Sequence, residues 1–565
     1  MFRPVLDPVS DSLAWSALVA TIPLLVFFVL LGLVRLKASW AALASLATSV
    51  LVAIGVYAMP AGQALSSAAE GALFGLFPIM WIVVNALWIY QITVDTGHFE
   101  VLRRSFGRLS DDQRLQAIIV AFCFGALLEA LAGFGAPVAI SSVMLIALGF
   151  RPFKAATVAL VANTAPVAFG AMGTPVITLA KLTGLSLDDV ASTVGRQTPV
   201  LAAVVPLLLV FLVDGRRGLR QTWLPALVTG VTFGVAQFVT SNYISVELTD
   251  VVAALVSVGV LVLLMRVTNG GAASGAGRTP PPVIAGGSED VEPAEVERVR
   301  RDAEGAEDAR RTEVREEEPG AVVKAYLPYA VIIAVFAVTQ LPPVKALLAH
   351  GTVVFDWPGL DVADPVTGEP AGASVFTFNW LPATGTMLLL SGVITVALLG
   401  VRPSAAVRAY GSTLRQLASA ILTVAAVLAL AYVMNLSGQT TTIGHWIAGA
   451  GAALAFLSPV LGWLGVAVSG SDTSSNALFG ALQVAAAKSS GFSPELLASA
   501  NSSGGVLGKM ISPQNLAIAA AATGLGGKEP ELLRKVVVWS LLLLLLICVL
   551  VALQATSVLS WMLPA

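Results

Sequence analysis

The chain has 565 residues, 56% of them hydrophobic and only 12% charged, with a formal net charge of −2. A soluble protein would carry about 25% charged residues, so the composition excludes a soluble globular domain. The nearly neutral balance argues against a nucleic-acid partner, and two cysteines in apolar runs, Cys123 and Cys548, against a disulfide framework or metal cluster.

Residues 1–37 hold one apolar run, 13–35, which is too long for a signal-peptide core and has no small-residue cleavage site after it. It reads as an N-terminal transmembrane helix. Region 38–266 follows, with crossings at 39–59, 66–92, 153–182, 197–213, 222–240 and 248–266. Inside it, the apolar stretch 115–150 is interrupted by Gly and Pro and reads as a helix–turn–helix hairpin returning to its own side. Segment 153–182 reads as a helix broken near the midplane. Non-helical backbone at that depth requires protein or a hydrated cavity around it. Residues 267–321 pass from Gly/Ala/Pro-rich into dense mixed charge and cannot bury a core, so they are expected to form a disordered cytoplasmic linker. Region 322–379 holds a crossing at 322–342 and an extracytoplasmic loop whose Val353, Phe355 and Trp357 suit a small ordered cap. Region 380–565 adds crossings at 381–401, 411–435 and 535–557, a second hairpin at 459–490 and a second broken helix at 494–522. The expected fold is an all-α polytopic membrane protein of about twelve transmembrane helices plus two re-entrant hairpins.

Charge tests this count. With the N-terminus outside, one set of loops carries Arg35, Lys37, Arg103, Arg104, Arg151, Lys154, Arg216, Arg217, Arg402, Arg408, Lys528 and Arg534. The opposite loops hold little basic beyond Lys181, Arg196, Lys345 and Lys488, together with acids such as Asp188, Asp189, Glu247 and Asp250. Both termini are then extracytoplasmic.

The sequence also repeats itself. Ala162, Asn163, Thr164, Gly170, Met172, Thr174 and Pro175 match Ala500, Asn501, Ser502, Gly508, Met510, Ser512 and Pro513 without a gap. Further upstream, Pro60 pairs with Pro403, Tyr90 with Tyr432, and Gly97-His98-Phe99 with Gly444-His445-Trp446. The repeat spans roughly 38–213 and 380–557. An odd number of crossings separates equivalent points, so the copies are inverted. Inverted repeats with Gly/Pro-interrupted helices mark transporters whose site lies between the copies, and their two access states are related by the repeat.

Few charged residues stand inside the apolar runs. Glu129 in the first hairpin and Asp472 in the second are candidates for proton coupling, since an ionisable group at a helix centre costs about 2.5–3.5 kcal/mol and is kept for a reason. A structural role, accepting hydrogen bonds from the hairpin turn, is the competing reading, and for Asp472 a role in binding as well. Lys509, where the first copy has Ala171, can neutralise a substrate carboxylate, stand as partner to Glu129 or Asp472, or snorkel to the interface. The polar cluster of Asn163, Thr164, Thr174, Ser471, Thr473, Ser474, Asn476, Asn501, Ser502 and Ser512 offers donors to a carboxylate and a hydroxyl. Half-helix N-termini near Gly135, Ser474, Thr174 and Ser512, with Gly133 beside the first, would direct positive dipole ends at an anion. His98 and His445 read as interface residues, and Arg196 as a loop cation able to steer anions. No zinc spacing, phosphate loop or nucleophile motif is present, so neither an enzyme nor a metal site is expected.

Several stretches resemble the lactate permease family of bacterial 2-hydroxy-acid transporters. They are Gln113-Arg-Leu-Gln116, Phe122-Cys-Phe-Gly-Ala126, Gly133-Phe-Gly-Ala-Pro-Val-Ala139, Asn163-Thr-Ala-Pro-Val-Ala-Phe-Gly-Ala-Met172, Gly470-Ser-Asp-Thr-Ser-Ser-Asn-Ala-Leu-Phe479 and Gly508-Lys-Met-Ile-Ser-Pro-Gln514. The likeness covers nearly the full length except the linker. It implies a secondary active transporter that takes up lactate, and often glycolate, with a proton across the cytoplasmic membrane. The proton gradient would supply the energy and no cofactor is needed. The resemblance also implies kinship with carriers that move a binding unit against a scaffold. In this reading the polar cluster, Gly133, Gly135 and Lys509 meet the substrate while Glu129, and Asp472 as the second candidate, handle the proton. A sodium-coupled carboxylate carrier and a lactate-sensing receptor remain the alternatives. The residues leave the oligomeric state open, a homodimer included.

Overall fold

The computed structural model describes every residue except 108, 111, 132, 134, 270–318, 340, 364–369, 372, 373 and 565. Helices come in the order α1 Leu13–Leu33, α2 Ala38–Gly55, α3 Ala61–Asp95, the short amphipathic α4 His98–Gly107, α5 Gln113–Leu131, α6 Ala136–Ala147, α7 Pro152–Ala162 and α8 Gly170–Thr183. Then follow α9 Leu187–Tyr243, α10 Thr249–Asn269, α11 Pro319–Thr339, α12 Pro342–Ala349, strands β1 Thr352–Asp356 and β2 Val375–Asn379, and α13 Thr384–Leu398. The last are α14 Pro403–Leu436, α15 Gln439–Ala448, α16 Ala453–Ser469, α17 Asp472–Ser490, α18 Pro494–Gly508, α19 Pro513–Ala522 and α20 Glu529–Gln554. Among the described residues nine helices are long and apolar enough to cross a membrane, or ten if the bent pair α7 and α8 is one span.

Where the two hairpins are expected, short turns join α5 to α6 and α16 to α17. Their tips turn at residues that favour left-handed backbone: Gly135 has φ +83° and Gly470 φ +76°. The first arm of the second hairpin starts earlier than expected, at Ala453, with Pro459 inside it rather than at its head.

The broken helices also form, but they break differently. α7 stops at Ala162, because Pro166 lacks an N–H and disfavours helical geometry at Ala165. The chain then unwinds, and Ala171, Met172 and Gly173 all take left-handed angles before the helix resumes at a 65° bend. In the second copy Gly504 stands where Pro166 would, so α18 runs on through Asn501 to Gly508 and breaks only at Lys509–Ile511, ahead of Pro513.

The series α2, α3, α4, hairpin, broken helix therefore recurs as α13, α14, α15, hairpin, broken helix. One landmark pairing needs correcting. Gly97 is the left-handed turn that opens α4, whereas Gly444 sits within α15, and the turn opening α15 is at Gly438 with φ +90°. Gly444 has a packing role instead, since a Cβ there would stand 3.0 Å from the Leu482 carbonyl.

The loop expected to be ordered carries two short strands. β1 and β2 pair antiparallel from Thr352 opposite Asn379 to Asp356 opposite Val375, a small departure from an all-α fold. Trp357 Nε1 donates to Ser66 Oγ at 3.0 Å, and the N-terminal ammonium pairs with Asp361 at 2.6 Å. The linker expected at 267–321 lies, from 270 to 318, outside the described residues.

The buried apolar side chains form two large groups. One joins the first hairpin, both broken helices, α9, α10 and α20; the other joins α1, α2, α3 and α14 and meets the first through Ala477, Leu478 and Phe479 of α17. Within the first group α16 and α18 approach backbone to backbone. A Cβ on Gly462 would run into the Asn501 carbonyl, and one on Gly504 or Gly508 into the Pro459 or Trp463 carbonyl. Such small-residue seams let helices gain packing energy where lipid removes the hydrophobic drive.

Candidate functional site

The hairpin tips and the unwound segments converge on a cavity of about 1060 Å³. Its wall includes the polar or small residues Glu129, Gly133, Gly170, Ala171, Thr174, Ser471, Asp472, Thr473, Ser474 and Lys509, and also Leu31, Arg35, Leu417 and Leu533. The expected N-terminus at Ser474 is in fact one turn earlier, with Ser471 as the cap: its Oγ accepts from the Ser474 N–H at 3.3 Å. Helix starts at Ala136, Thr174, Asp472 and Pro513 thus surround the same region.

The central contact is a buried ion pair. Lys509 Nζ donates to Glu129 Oε1 at 2.5 Å, with both side chains almost wholly enclosed. Glu129 Oε2 accepts from Asn163 Nδ2 at 2.9 Å. Enclosure removes the snorkelling reading of Lys509. Gly170 makes room for this carboxylate: a Cβ there would stand 2.8 Å from Oε1.

Asp472 begins a second network. Its Oδ2 accepts from Ser502 Oγ at 2.6 Å and from Asn476 Nδ2 at 3.3 Å. Asn476 Oδ1 accepts from Asn501 Nδ2 at 2.9 Å, and Asn476 Nδ2 also donates to the Pro175 carbonyl at 3.2 Å. Each hairpin is therefore bonded to the broken helix of the other repeat copy, the first through Glu129 to Lys509 and the second through Asn476 to Pro175. Asp472 and Lys509 both line the cavity wall.

The other expected residues divide cleanly. Thr174 lines the cavity while its Oγ1 donates to the Ala171 carbonyl at 2.5 Å. Asn163, Thr164, Asn476, Asn501, Ser502 and Ser512 are buried one layer behind the wall. There Thr164 donates to the Val161 carbonyl at 2.7 Å, and Ser512 to the Lys509 carbonyl at 3.0 Å. Gly135 packs against Ile518 and Asn515 of α19 rather than facing the cavity. Arg196 is tied to Asn242 Oδ1 and the Met562 carbonyl, and His98 to Thr96. Among the described residues, no group of three His, Cys, Asp or Glu side chains could hold a metal ion.

Two further acids, outside the expected site, are buried. Asp250, taken as a loop residue, is fully enclosed at the start of α10. Glu70, visible as an acid within the expected crossing 66–92, is fully enclosed on α3, and neither oxygen meets a donor among the described residues.

The comparisons with known proteins address the chain as a whole. A solved structure, that of the Alcanivorax borkumensis YdaH transporter, aligns over 86% of this chain and 87% of its own at 16% identity, with a TM-score of 0.44. The L-lactate permease of Salmonella typhimurium is 42% identical over 561 residues, 97% of each chain. That of Bacillus subtilis is 41% identical over 576 residues, 99% of each, and the glycolate permease GlcA of Escherichia coli 41% over 557 residues, 96% of each. The family profile described as L-lactate permease matches residues 16–558, a range that takes in both hairpins, both broken helices and every residue of the cavity wall. This multi-pass membrane protein belongs to the L-lactate permease family.

Proposed function

We propose that the protein is a secondary active transporter that takes up lactate and related 2-hydroxymonocarboxylates such as glycolate, together with a proton, across the cytoplasmic membrane. The observation that carries this reading is the Lys509–Glu129 pair on the cavity wall. Lys509 is the cation an entering carboxylate would seek, and Glu129 occupies it. A substrate anion takes Lys509 only if Glu129 gives it up, and Glu129 can stay buried without its cation only by accepting a proton. Anion and proton then enter together by electrostatics. The helix starts at Thr174 and Asp472 and the hydroxyls of Ser471, Thr473 and Ser474 would orient the carboxylate and the 2-hydroxyl. The buried amides behind them hold the wall in shape.

The fold reading goes with it. Counting α7 with α8 and α18 with α19 as single broken spans and α9 as two gives twelve crossings around two re-entrant hairpins, in inverted copies, with both termini extracytoplasmic. In that orientation the wall residues Arg35 and Glu529 lie towards the cytoplasm, which supports a cavity reached from that side. The group of hairpins and broken helices would move as a unit against α1, α2, α3 and α14.

Purified protein in liposomes should accumulate L-lactate and glycolate when the pH gradient is imposed, with sodium replaced by choline. Accumulation that needs sodium and ignores the pH gradient would sink the proton reading in favour of the sodium carrier. Gly170→Ala offers a finer check. Its methyl group would displace Glu129 Oε1 from Lys509, so uptake should fall at least about tenfold while the protein still purifies as wild type.

A further inference from the structure

Gln514, the second residue of α19, lines the cavity and is exposed. Its side chain lies across the tip of the second hairpin. A Cβ on Gly470 would stand 2.6 Å from Gln514 Oε1 and 3.3 Å from its Cδ, so only a glycine leaves the carboxamide room there. Ser471 and Asp472 follow directly, where α17 begins. The residues that flank Gln514 are tied to the main chain of Lys509. Ser512 Oγ and Asn515 Nδ2 each donate to the Lys509 carbonyl at 3.0 Å. Asn515 in turn meets the first hairpin, since a Cβ on Gly135 would stand 3.2 Å from its Oδ1. The first turn of α19 is thus wedged between the two hairpin tips, in fixed register with Lys509.

The amide held in this place is uncommitted. Among the described residues neither Gln514 Oε1 nor Nε2 takes part in a hydrogen bond. Other polar groups of the wall already have partners: Thr174 Oγ1 donates to the Ala171 carbonyl, Ser471 Oγ accepts from the Ser474 N–H, and Lys509 pairs with Glu129. Gln416 also lines the cavity with a free amide, but it stands on α14, away from the element that carries Lys509. The chemistry of an amide suits one substrate group in particular. It donates and accepts without carrying charge, as a hydroxyl does, and beside an anion it brings none of the repulsion of a carboxylate. In a 2-hydroxy acid the hydroxyl is on the carbon next to the carboxylate, so its reader must stand within one side chain's reach of the cation that takes the carboxylate.

We propose that Gln514 is the specificity-determining residue for 2-hydroxy acids: with the substrate carboxylate on Lys509, the Gln514 carboxamide hydrogen-bonds the 2-hydroxyl. An unsubstituted short-chain carboxylate leaves that amide without a partner and is bound less tightly. The inference rests on the 2-hydroxymonocarboxylate reading above and names the group that tells such a substrate from its unsubstituted analogue. It does not depend on which ion is coupled.

The test measures how much unlabelled L-lactate or propionate, which differs from lactate only in lacking the hydroxyl, halves the exchange of labelled L-lactate in proteoliposomes at equal pH. Wild type should need at least about tenfold more propionate than lactate. Gln514→Met, of similar length without the amide, should narrow that ratio to within about threefold, by weakening lactate while propionate stays within about threefold of its wild-type value. Thermal midpoints in detergent with each ligand in excess give the same comparison for a variant that exchanges too slowly to read. A Gln514→Met protein that keeps the wild-type preference would overturn the inference. So would loss of the response to both ligands, which assigns Gln514 to holding the Gly470 tip, or a preference lost in Gln416→Leu instead. If wild type itself does not prefer lactate to propionate, the 2-hydroxy-acid reading fails before any variant is made, and the inference falls with it.

Discussion

Lys509→Met and Glu129→Gln should each abolish net lactate uptake, lowering it at least about a hundredfold, and each should destabilise the protein more than the double variant does. The pair joins the first hairpin to the second broken helix at 2.5 Å, with both side chains almost wholly enclosed. Removing one partner leaves the other as a buried charge without its counter-ion, which costs about 3–5 kcal/mol; removing both leaves an amide and a thioether of similar size, close to neutral. Thermal unfolding in detergent would therefore show two lowered midpoints and one near wild type. Transport should not follow that recovery, because the double variant has neither a cation for the carboxylate nor a group for the proton. The single variants separate the two tasks. Glu129→Gln frees Lys509, so substrate can bind and exchange without pH dependence, whereas Lys509→Met loses binding itself. A Glu129→Gln protein that still accumulates lactate against a pH gradient would remove Glu129 from the coupling step.

Much of this site is legible in the sequence. Gly133 and Gly135, the Ser/Asp-rich tip at 470–476 and the duplicated Asn-[Ser/Thr]…[Ser/Thr]-Pro run mark places where a membrane helix must turn or break, because glycine and proline act on backbone geometry locally. The difference between the copies, Lys509 against Ala171, marked a cation for the substrate or for either Glu129 or Asp472, and its ion pair is with Glu129. What sequence pattern could not supply was depth and direction. Asp250 sits at the edge of an apolar run among Glu247 and Thr249, and charge counting assigns such residues to a loop; only the inward path of residues 244–250 against Gly173 encloses it. Asn163 and Asn501 looked equivalent, yet Pro166 places one at a helix end and Gly504 leaves the other in mid-helix, so Asn163 donates to the Glu129 carboxylate whereas Asn501 donates to the amide oxygen of Asn476. Glu70 was readable as an acid within a crossing, but the small residues around it conceal how closely α3 and α14 pack there.

Gly462→Val should eliminate transport and lower the yield of folded protein at least about tenfold, although Gly462 touches neither the cavity nor either carboxylate. Its Cβ position coincides with the main-chain carbonyl of Asn501, an atom fixed by the helix on both sides. Overpacking a well-filled interior costs about 1–3 kcal/mol when side chains can shift. Here only the helices can, so α18 must move away from α16. That one displacement carries Asn501, Ser502 and Lys509 with it, loosening the Asp472 network and the Glu129 pair together. The seam at Gly504 and Gly508 would open by the same movement, and in lipid no hydrophobic pressure closes it again. Gly462→Ala should give a graded form of the defect, with folded protein recovered but uptake reduced about tenfold. Gly55→Ala is the control, because a Cβ there meets nothing within 4 Å. If Gly462→Ala transports as well as Gly55→Ala, the seam is not what registers Lys509 against Glu129, and the rigidity of the second broken helix must come from the Asn515 and Ser512 contacts to the Lys509 carbonyl instead.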